Sequence, residues 1–179
     1  MEIYAANYYT KSGELDEANS GAYVMGLFAS IDGIAVVVIK VFSDMRRWDF
    51  VAEYVSANID ADVSEKEIIK LTEIYNIQHF LGNDVGSSLV NKNSSTNKRG
   101  IITSGWETIN SSAEKMLFLV QSNIKYLGVT EALIPGLEYD LKNFDLRDVR
   151  LNERHYPRIS AIASVIAGAK PDYNRLLFS

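Results

Sequence analysis

His79-Phe80-Leu81-Gly82-Asn83-Asp84-Val85-Gly86-Ser87-Ser88-Leu89 is the stretch on which the reading of the fold turns. An apolar run leaves a strand, turns at glycines and enters a short helix, Val85 to Val90. In α/β sheets, ligands and metals are held outside the carboxyl ends of the strands. This turn is therefore the first place to look for chemistry. It offers one acid, Asp84, beside an asparagine, where a metal-dependent enzyme normally places carboxylates. Asp84 also reads as a cap for the helix that follows. Gly86 reads as a tight-turn or close-packing residue.

Upstream of this turn, Ser64-Glu65-Lys66-Glu67 has the form of a capping box, with Val63 and Ile68 as its hydrophobic staple. Ile68, Leu71 and Tyr75 continue as a helical stripe. Asp44 to Asp62 is polar and mixed and shows no clear period. Before it, Gly21 to Ala29 and Ile34 to Phe42 read as strands. Ser30-Ile31-Asp32-Gly33 joins them with an Asp-Gly turn, the strongest short-range hairpin cue. Ile3 to Tyr9 reads as a preceding strand, separated by the polar loop Thr10 to Ser20. Three successive strands predict an antiparallel meander.

Downstream, Lys92 to Gly100 is a loop of Asn, Ser, Thr, Lys and Arg. Ile101 to Ser104 reads as a short strand. Ser111 and Glu114 form a second capping box, and Met116, Leu119, Val120, Ile124 and Leu127 a helix that stops at Gly128. Pro135 suits the first turn of a helix with the stripe Leu137, Leu141 and Phe144. Asn143 to Arg154 is charged and solvated. Pro157 opens a last helix, with Ile159, Ile162, Ala163 and Ile166 on one face and Gly168 at its end.

Three strands followed by α-β-α-β-α-α predict a mixed sheet of five strands with helices on both faces. This is the order of the ribonuclease H-like fold, since a Rossmann or flavodoxin sheet alternates from the start. The 179 residues fit one domain, 1–179. Hydrophobic residues make up 47% and charged residues 23%, and the net charge is −5. That balance argues against a freestanding, high-affinity nucleic-acid binder. It leaves room for a local basic groove, or for grip borrowed from a partner. With no cysteine there is no disulfide framework and no thiolate zinc site. The N-terminus lacks the basic and apolar regions of a signal peptide, and no apolar run reaches the ~18 residues of a membrane helix. The expected setting is the cytoplasm, away from membranes.

Ribonuclease H-like nucleases use two divalent ions about 4 Å apart, and hard cations such as Mg²⁺ and Mn²⁺ want carboxylate oxygens. The places that matter are the middle of the first strand, the end of the fourth strand and the start of the final helix. Asn7 stands at the first, Leu81, Asn83 and Asp84 at the second, and His155, Tyr156, Pro157 and Arg158 at the third. Only Asp84 is a carboxylate. Asn7 reads equally as a hydrogen-bonded buried polar group. His79 and His155, far apart in sequence, make a histidine metal site improbable. Tyr8, Tyr9 and Tyr23 read as packing residues.

From Ile3 to about Lys170 the chain resembles the C-terminal nuclease domain of the large subunit of viral DNA-packaging terminases. Ile3-Tyr4-Ala5-Ala6-Asn7 resembles the family's first motif, a strand ending in Asp, with Asn in its place. Phe80-Leu81-Gly82-Asn83-Asp84-Val85-Gly86 resembles the second, with Leu81 or Asn83 at the acidic position. Ser111 to Leu127 is similar to its lysine-bearing helix, and Ala132-Leu133-Ile134-Pro135 followed by Leu141 to Phe144 to its next edge and helix. His155-Tyr156-Pro157-Arg158-Ile159-Ser160-Ala161 stands where the family has His-Asp-Asp before an apolar helix, with both acids absent. The departures fall on the metal ligands and hardly anywhere else.

The resemblance implies a domain acting on double-stranded DNA in virus genome packaging in the host-cell cytoplasm. It implies two-metal phosphodiester hydrolysis with Mg²⁺ or Mn²⁺ if the domain is active. Asn7, Asn83 and Asp84 are then the catalytic candidates, with Asp84 and Asn7 on the metal. Lys92, Lys98, Arg99, Lys115 and Arg158 are candidate DNA contacts; each also reads as an ordinary solvated charge. A shifted register gives the acidic role to Asp16, Asp32 or Asp84, although the Asp-Gly turn already accounts for Asp32. No Gly-x-x-x-x-Gly-Lys-Ser/Thr occurs, so the implied partners are a packaging ATPase segment, a small terminase subunit or a portal. Two alternatives stay open: a non-catalytic nuclease-like module that binds DNA or a packaging partner, and another ribonuclease H-like enzyme such as a resolvase or transposase relative.

Overall fold

In a computed structural model, the described residues are 7–8, 21–42, 48–57, 60–77, 79–91, 106–108, 113–123, 135–145, 147 and 155–178. They form β1 (Asn7–Tyr8), β2 (Gly21–Ser30), β3 (Gly33–Phe42), β4 (Trp48–Ser56), α1 (Ala61–Tyr75), β5 (His79–Gly82) and α2 (Asp84–Asn91). Then come β6 (Trp106–Thr108), α3 (Ala113–Asn123), α4 (Pro135–Asn143) and α5 (Pro157–Phe178). The strands make one six-stranded sheet in the order β1-β4-β3-β2-β5-β6. β2, β3 and β4 are an antiparallel meander, and β5 and β6 add in parallel beyond β2. The mixed sheet is ribonuclease H-like, with six strands rather than five.

The extra strand is β4, in the segment that carries no readable period. Its register slips: Val38 lies opposite Ala52, and the next residue, Ile39, lies opposite Phe50. Val51 is the additional residue of a bulge, which breaks the two-residue alternation. Phe50 thereby joins the core on one face, while Val51, Ala52 and Tyr54 join the core on the other. The meander therefore starts at Gly21, and Asn7 moves from the expected first strand to a short edge strand against β4.

The hairpin at Ile31-Asp32 forms as the Asp-Gly signal predicts, with Gly33 at φ 128. Helices cover both faces of the sheet, which is why β3 reads as an unbroken apolar run: Ile34 to Ile39 are all fully buried. Val24, Ala35, Val37, Ile39 and Leu81 pack under α3, α4 and α5, while Met25, Leu27, Val36 and Val38 pack under Ile68, Leu71 and Tyr75 of α1.

Two predicted boundaries are corrected. The start of α1 lies one turn before Ser64: Asp60 Oδ1 accepts from Asp62 N (3.0 Å) and Val63 N (3.1 Å), so an earlier and acidic cap takes the role. Ser64 is then inside the helix and buried. α5 continues through Gly168, which is a packing glycine set against the Leu81 side chain. The sixth strand is Trp106–Thr108, paired to β5; the expected strand Ile101 to Ser104 and the stop at Gly128 lie outside the described residues.

α5 lies so close to β2 that a Cβ on Gly26 would run into the carbonyl of Ala161. A side chain there forces α5 off the sheet. Gly26→Val is expected to cost about 1–3 kcal/mol by overpacking, measured by urea unfolding; a loss well under ~1 kcal/mol would show that α5 is not seated on β2 in this way.

Candidate functional site

The carboxyl ends of the parallel pair β2 and β5 define the corner where this fold carries chemistry. Leu27 is level with Gly82, so Phe28 and Ala29 continue past the end of β5 beside Asn83. Asn83 caps α2: Ser87 N donates to its backbone oxygen (2.9 Å) and Gly86 N to its Oδ1 (3.0 Å). The same Oδ1 accepts from Ala29 N (3.2 Å), and Nδ2 donates to Ala29 O (2.7 Å). Both acceptor positions of the amide oxygen are used. Asn83 is a clamp joining β2, β5 and α2, with no lone pair left for a cation. Asp84 is exposed in the first turn of α2, where a carboxylate is favoured by the helix dipole.

At the same end of the sheet, Asp32 is more than a turn residue. Its Oδ2 accepts from His155 N (2.6 Å) and lies 2.9 Å from His155 Nδ1. The hairpin thus tethers the chain as it enters α5. The next residue, Tyr156, donates its hydroxyl to Asn143 O and accepts from Asp145 N (3.2 Å), with its ring against Phe144. Tyr156 in this way holds the end of α4.

Arg158 follows one residue into α5 and turns inward. Its Nε and Nη2 meet the two carboxylate oxygens of Glu53 at 2.8 and 3.2 Å, and Nη1 meets Asp140 of α4 at 2.8 Å. Glu53 is only 2% exposed and Arg158 14%. The guanidinium rests against Gly136, where any Cβ would collide with it. Burial alone would favour loss of the arginine proton, but the hydrogen bond and charge of Glu53, then those of Asp140, outweigh it and hold the pKa above its ordinary value. Folded-state protonation is therefore strengthened. Its stabilisation is complete at any pH below the ordinary arginine range and fades only as pH rises through the raised value.

Glu53 also belongs to a register row that spans the sheet: Leu81, Gly26, Val37, Glu53 and Asn7 lie side by side. The row shows why Asn7 cannot share a site with Asn83 and Asp84. From β1 to β5 there are four strand spacings, roughly 19 Å, whereas paired ions sit about 4 Å apart. The first strand of the meander, β2, offers Gly26, Leu27 and Phe28 instead of an acid.

Of the residues singled out from sequence, Asn83 and Asp84 come together, and Asp32 lies at the same end of the sheet. Arg158 is an interior ion-pair residue and not a surface contact for phosphate. Lys115 is exposed on α3. Lys92, Lys98, Arg99 and Asp16 lie outside the described residues. Sequence reading missed Glu53 and Asp140; the available signal was a glutamate amid the apolar residues of Phe50 to Val55. Among the described residues, no group of three or more His, Asp or Glu is placed to hold a metal ion. Of the described donors at this corner, one amide oxygen is spent, one carboxylate is held by His155, two are held by Arg158, and Asp84 alone stays exposed; a single carboxylate does not fit a divalent pair.

The sequence matches no protein-family model and no curated protein. The structure is similar to the nuclease domain of g2p, the large terminase of bacteriophage SPP1, solved with bound Mn: TM-score 0.51, 14% identity, covering 91% of this chain and 94% of that one. It is also similar to the large terminase nuclease domain of Thermus phage P74-26: TM-score 0.53, 12% identity, covering 80% of this chain and 77% of that one. The fold is that of large-terminase nuclease domains. The manganese belongs to the SPP1 protein. In this chain the corner of the terminase-like fold is closed by hydrogen bonds and ion pairs. Among the described residues, no helix is long and apolar enough to cross a membrane.

Asn83→Asp is expected to destabilise the protein by about 1–3 kcal/mol, because it removes the donor to Ala29 O and sets a carboxylate oxygen against that carbonyl. Urea unfolding of the two proteins measures it; an aspartate that is neutral or stabilising would show that the clamp is not as described. Arg158→Met is expected to cost about 3–5 kcal/mol by leaving Glu53 buried without a counter-charge. Adding Glu53→Leu should recover most of that loss, and failure to recover it would mean that the arginine matters for something other than its charge partner.

Proposed function

We propose that this chain is the nuclease-type domain of a viral double-stranded DNA packaging machine, and that it engages the duplex without cutting it. The observation that carries the packaging reading is the correspondence of fold along nearly the whole of the SPP1 large-terminase nuclease domain and of this chain. Fold alone does not establish activity, so the chemical half of the reading rests on the site. The observation favouring the non-catalytic form is the state of Asn83. It stands at the end of β5 as a backbone clamp, and no acid on β2 faces it.

A net charge of −5 argues against strong independent grip on DNA. The domain contributes contacts while a partner, such as the packaging ATPase segment, the small subunit or the portal, supplies most of the affinity. Lys92, Lys98 and Arg99 in the basic stretch Lys92 to Gly100, and the exposed Lys115 on α3, are the candidate phosphate contacts. Mg²⁺ or Mn²⁺ is assigned no step here, because the described donors do not fit it.

Incubation with plasmid DNA in Mg²⁺ or Mn²⁺, beside duplex binding followed by fluorescence anisotropy, tests both halves. The expected result is salt-sensitive binding with no cleavage above that of Asp84→Ala. Metal-dependent cleavage that Asp84→Ala abolishes would establish a nuclease, and absence of binding at low salt would sink the DNA reading. The double variant Lys98→Ala/Arg99→Ala should flatten the dependence of log binding constant on log salt by about 2, given a slope of about 0.9 per neutralised phosphate. An unchanged slope would place the DNA elsewhere.

A further inference from the structure

We infer that residues 155–158 form a knot that fixes this corner of the sheet with protein bonds alone and needs no divalent ion. The polar side chains of the segment reach the β2–β3 hairpin, α4 and β4. His155 binds Asp32 of the β2–β3 hairpin through both backbone and ring. Tyr156 binds Asn143 and Asp145 at the end of α4. Arg158 joins Glu53 of β4 to Asp140 of α4. Asn83 completes the corner by locking β2 to β5 and α2.

A divalent pair performs a related mechanical task, since it draws carboxylates from separate elements to one point and neutralises them. Here the cation is a guanidinium, covalently part of α5 and forked onto Glu53, the geometry that makes arginine suited to buried carboxylates. Of the described carboxylates at this corner, Asp32, Glu53 and Asp140 are already neutralised or hydrogen-bonded, and only Asp84 stays exposed. The backbone of α5 also sits on Gly26 too closely for an acid to replace that glycine. The knot consequently makes both the folding of the domain and the geometry of its corner independent of divalent ions. This rests on the fold and not on DNA binding, so a chain that failed to bind duplex would leave it standing.

The test is thermal unfolding of the full chain in EDTA, in millimolar Mg²⁺ and in millimolar Mn²⁺, with free Mn²⁺ followed by electron paramagnetic resonance. The expected result is one Tm in all three conditions and an undiminished free-ion signal. A site filled at 100 times its Kd would instead raise Tm by roughly 5–10 °C. Arg158→Lys keeps the charge but loses the fork. It should lower Tm by the same amount with and without Mn²⁺. A Mn²⁺-dependent rise in the Tm of the unaltered protein with stoichiometric loss of free ion would overturn the inference. So would selective rescue of Arg158→Lys by Mn²⁺.

Discussion

The contact on which the α5 face depends is the seating of that helix on Gly26. β2 is the central strand of the sheet, paired to β3 on one side and β5 on the other. With no side chain at Gly26, the helix backbone comes down to the strand at Ala161. Seven residues further along, Gly168 repeats the device against Leu81. Two close approaches along one helix fix its line across the sheet. That line brings Arg158 to Glu53 and leaves Ile159, Ile162, Val165 and Ile166 to fill the core beneath. A bulky residue at Gly26 would lift the helix and pull the guanidinium from its partners, whereas one at Gly168 meets the Leu81 side chain.

The seating also explains how a glutamate survives in the interior of a sheet. Removing a carboxylate from water costs several kcal/mol unless charge and hydrogen bonds compensate. Arg158 supplies both, and Asp140 accepts its remaining edge. Such a network contributes less to net stability than to uniqueness: well-packed apolar residues would hold the same volume at similar free energy, but would not specify which turn of α5 meets β4. The charge pair acts as a register mark for the helix, while the glycines set its height.

Much of the fold was legible because its signals are local. The Asp32-Gly33 turn, the apolar run of β3, the glycine turn after β5 and Pro157 at the head of α5 each declare an element through neighbouring residues. β4 was hidden because the bulge at Val51 shifts its faces in the middle of the strand, so Phe50 and Tyr54 point to opposite sides. Without β4 the count slips by one strand, and Asn7 reads as part of the first strand of the meander although it lies on the edge strand beside β4. Arg158 was misjudged for a different reason. At the head of a helix a basic residue looks solvated, and nothing local announces that a glutamate 105 positions earlier is waiting in the sheet. Ser64 lost its cap to Asp60 because both are valid caps and the earlier one lengthens the helix.

The glycine turn after β5 shows why an asparagine and an acid are not interchangeable there. An aspartate at position 83 keeps the bonds from Ala29 N and Gly86 N but cannot donate to Ala29 O. A metal ion on its second oxygen restores an attractive partner, provided other acids share the load. Without them, the amide is the better residue, since it satisfies the strand on both its donor and acceptor sides. Asn83 and the inward-turned Arg158 are therefore consistent with each other: each spends its polar atoms on bonds that close the structure. A site that had merely lost one ligand would keep the others aimed at an empty point. At this corner Asp32, Glu53, Asn83, Asp140 and Arg158 have instead found partners of their own.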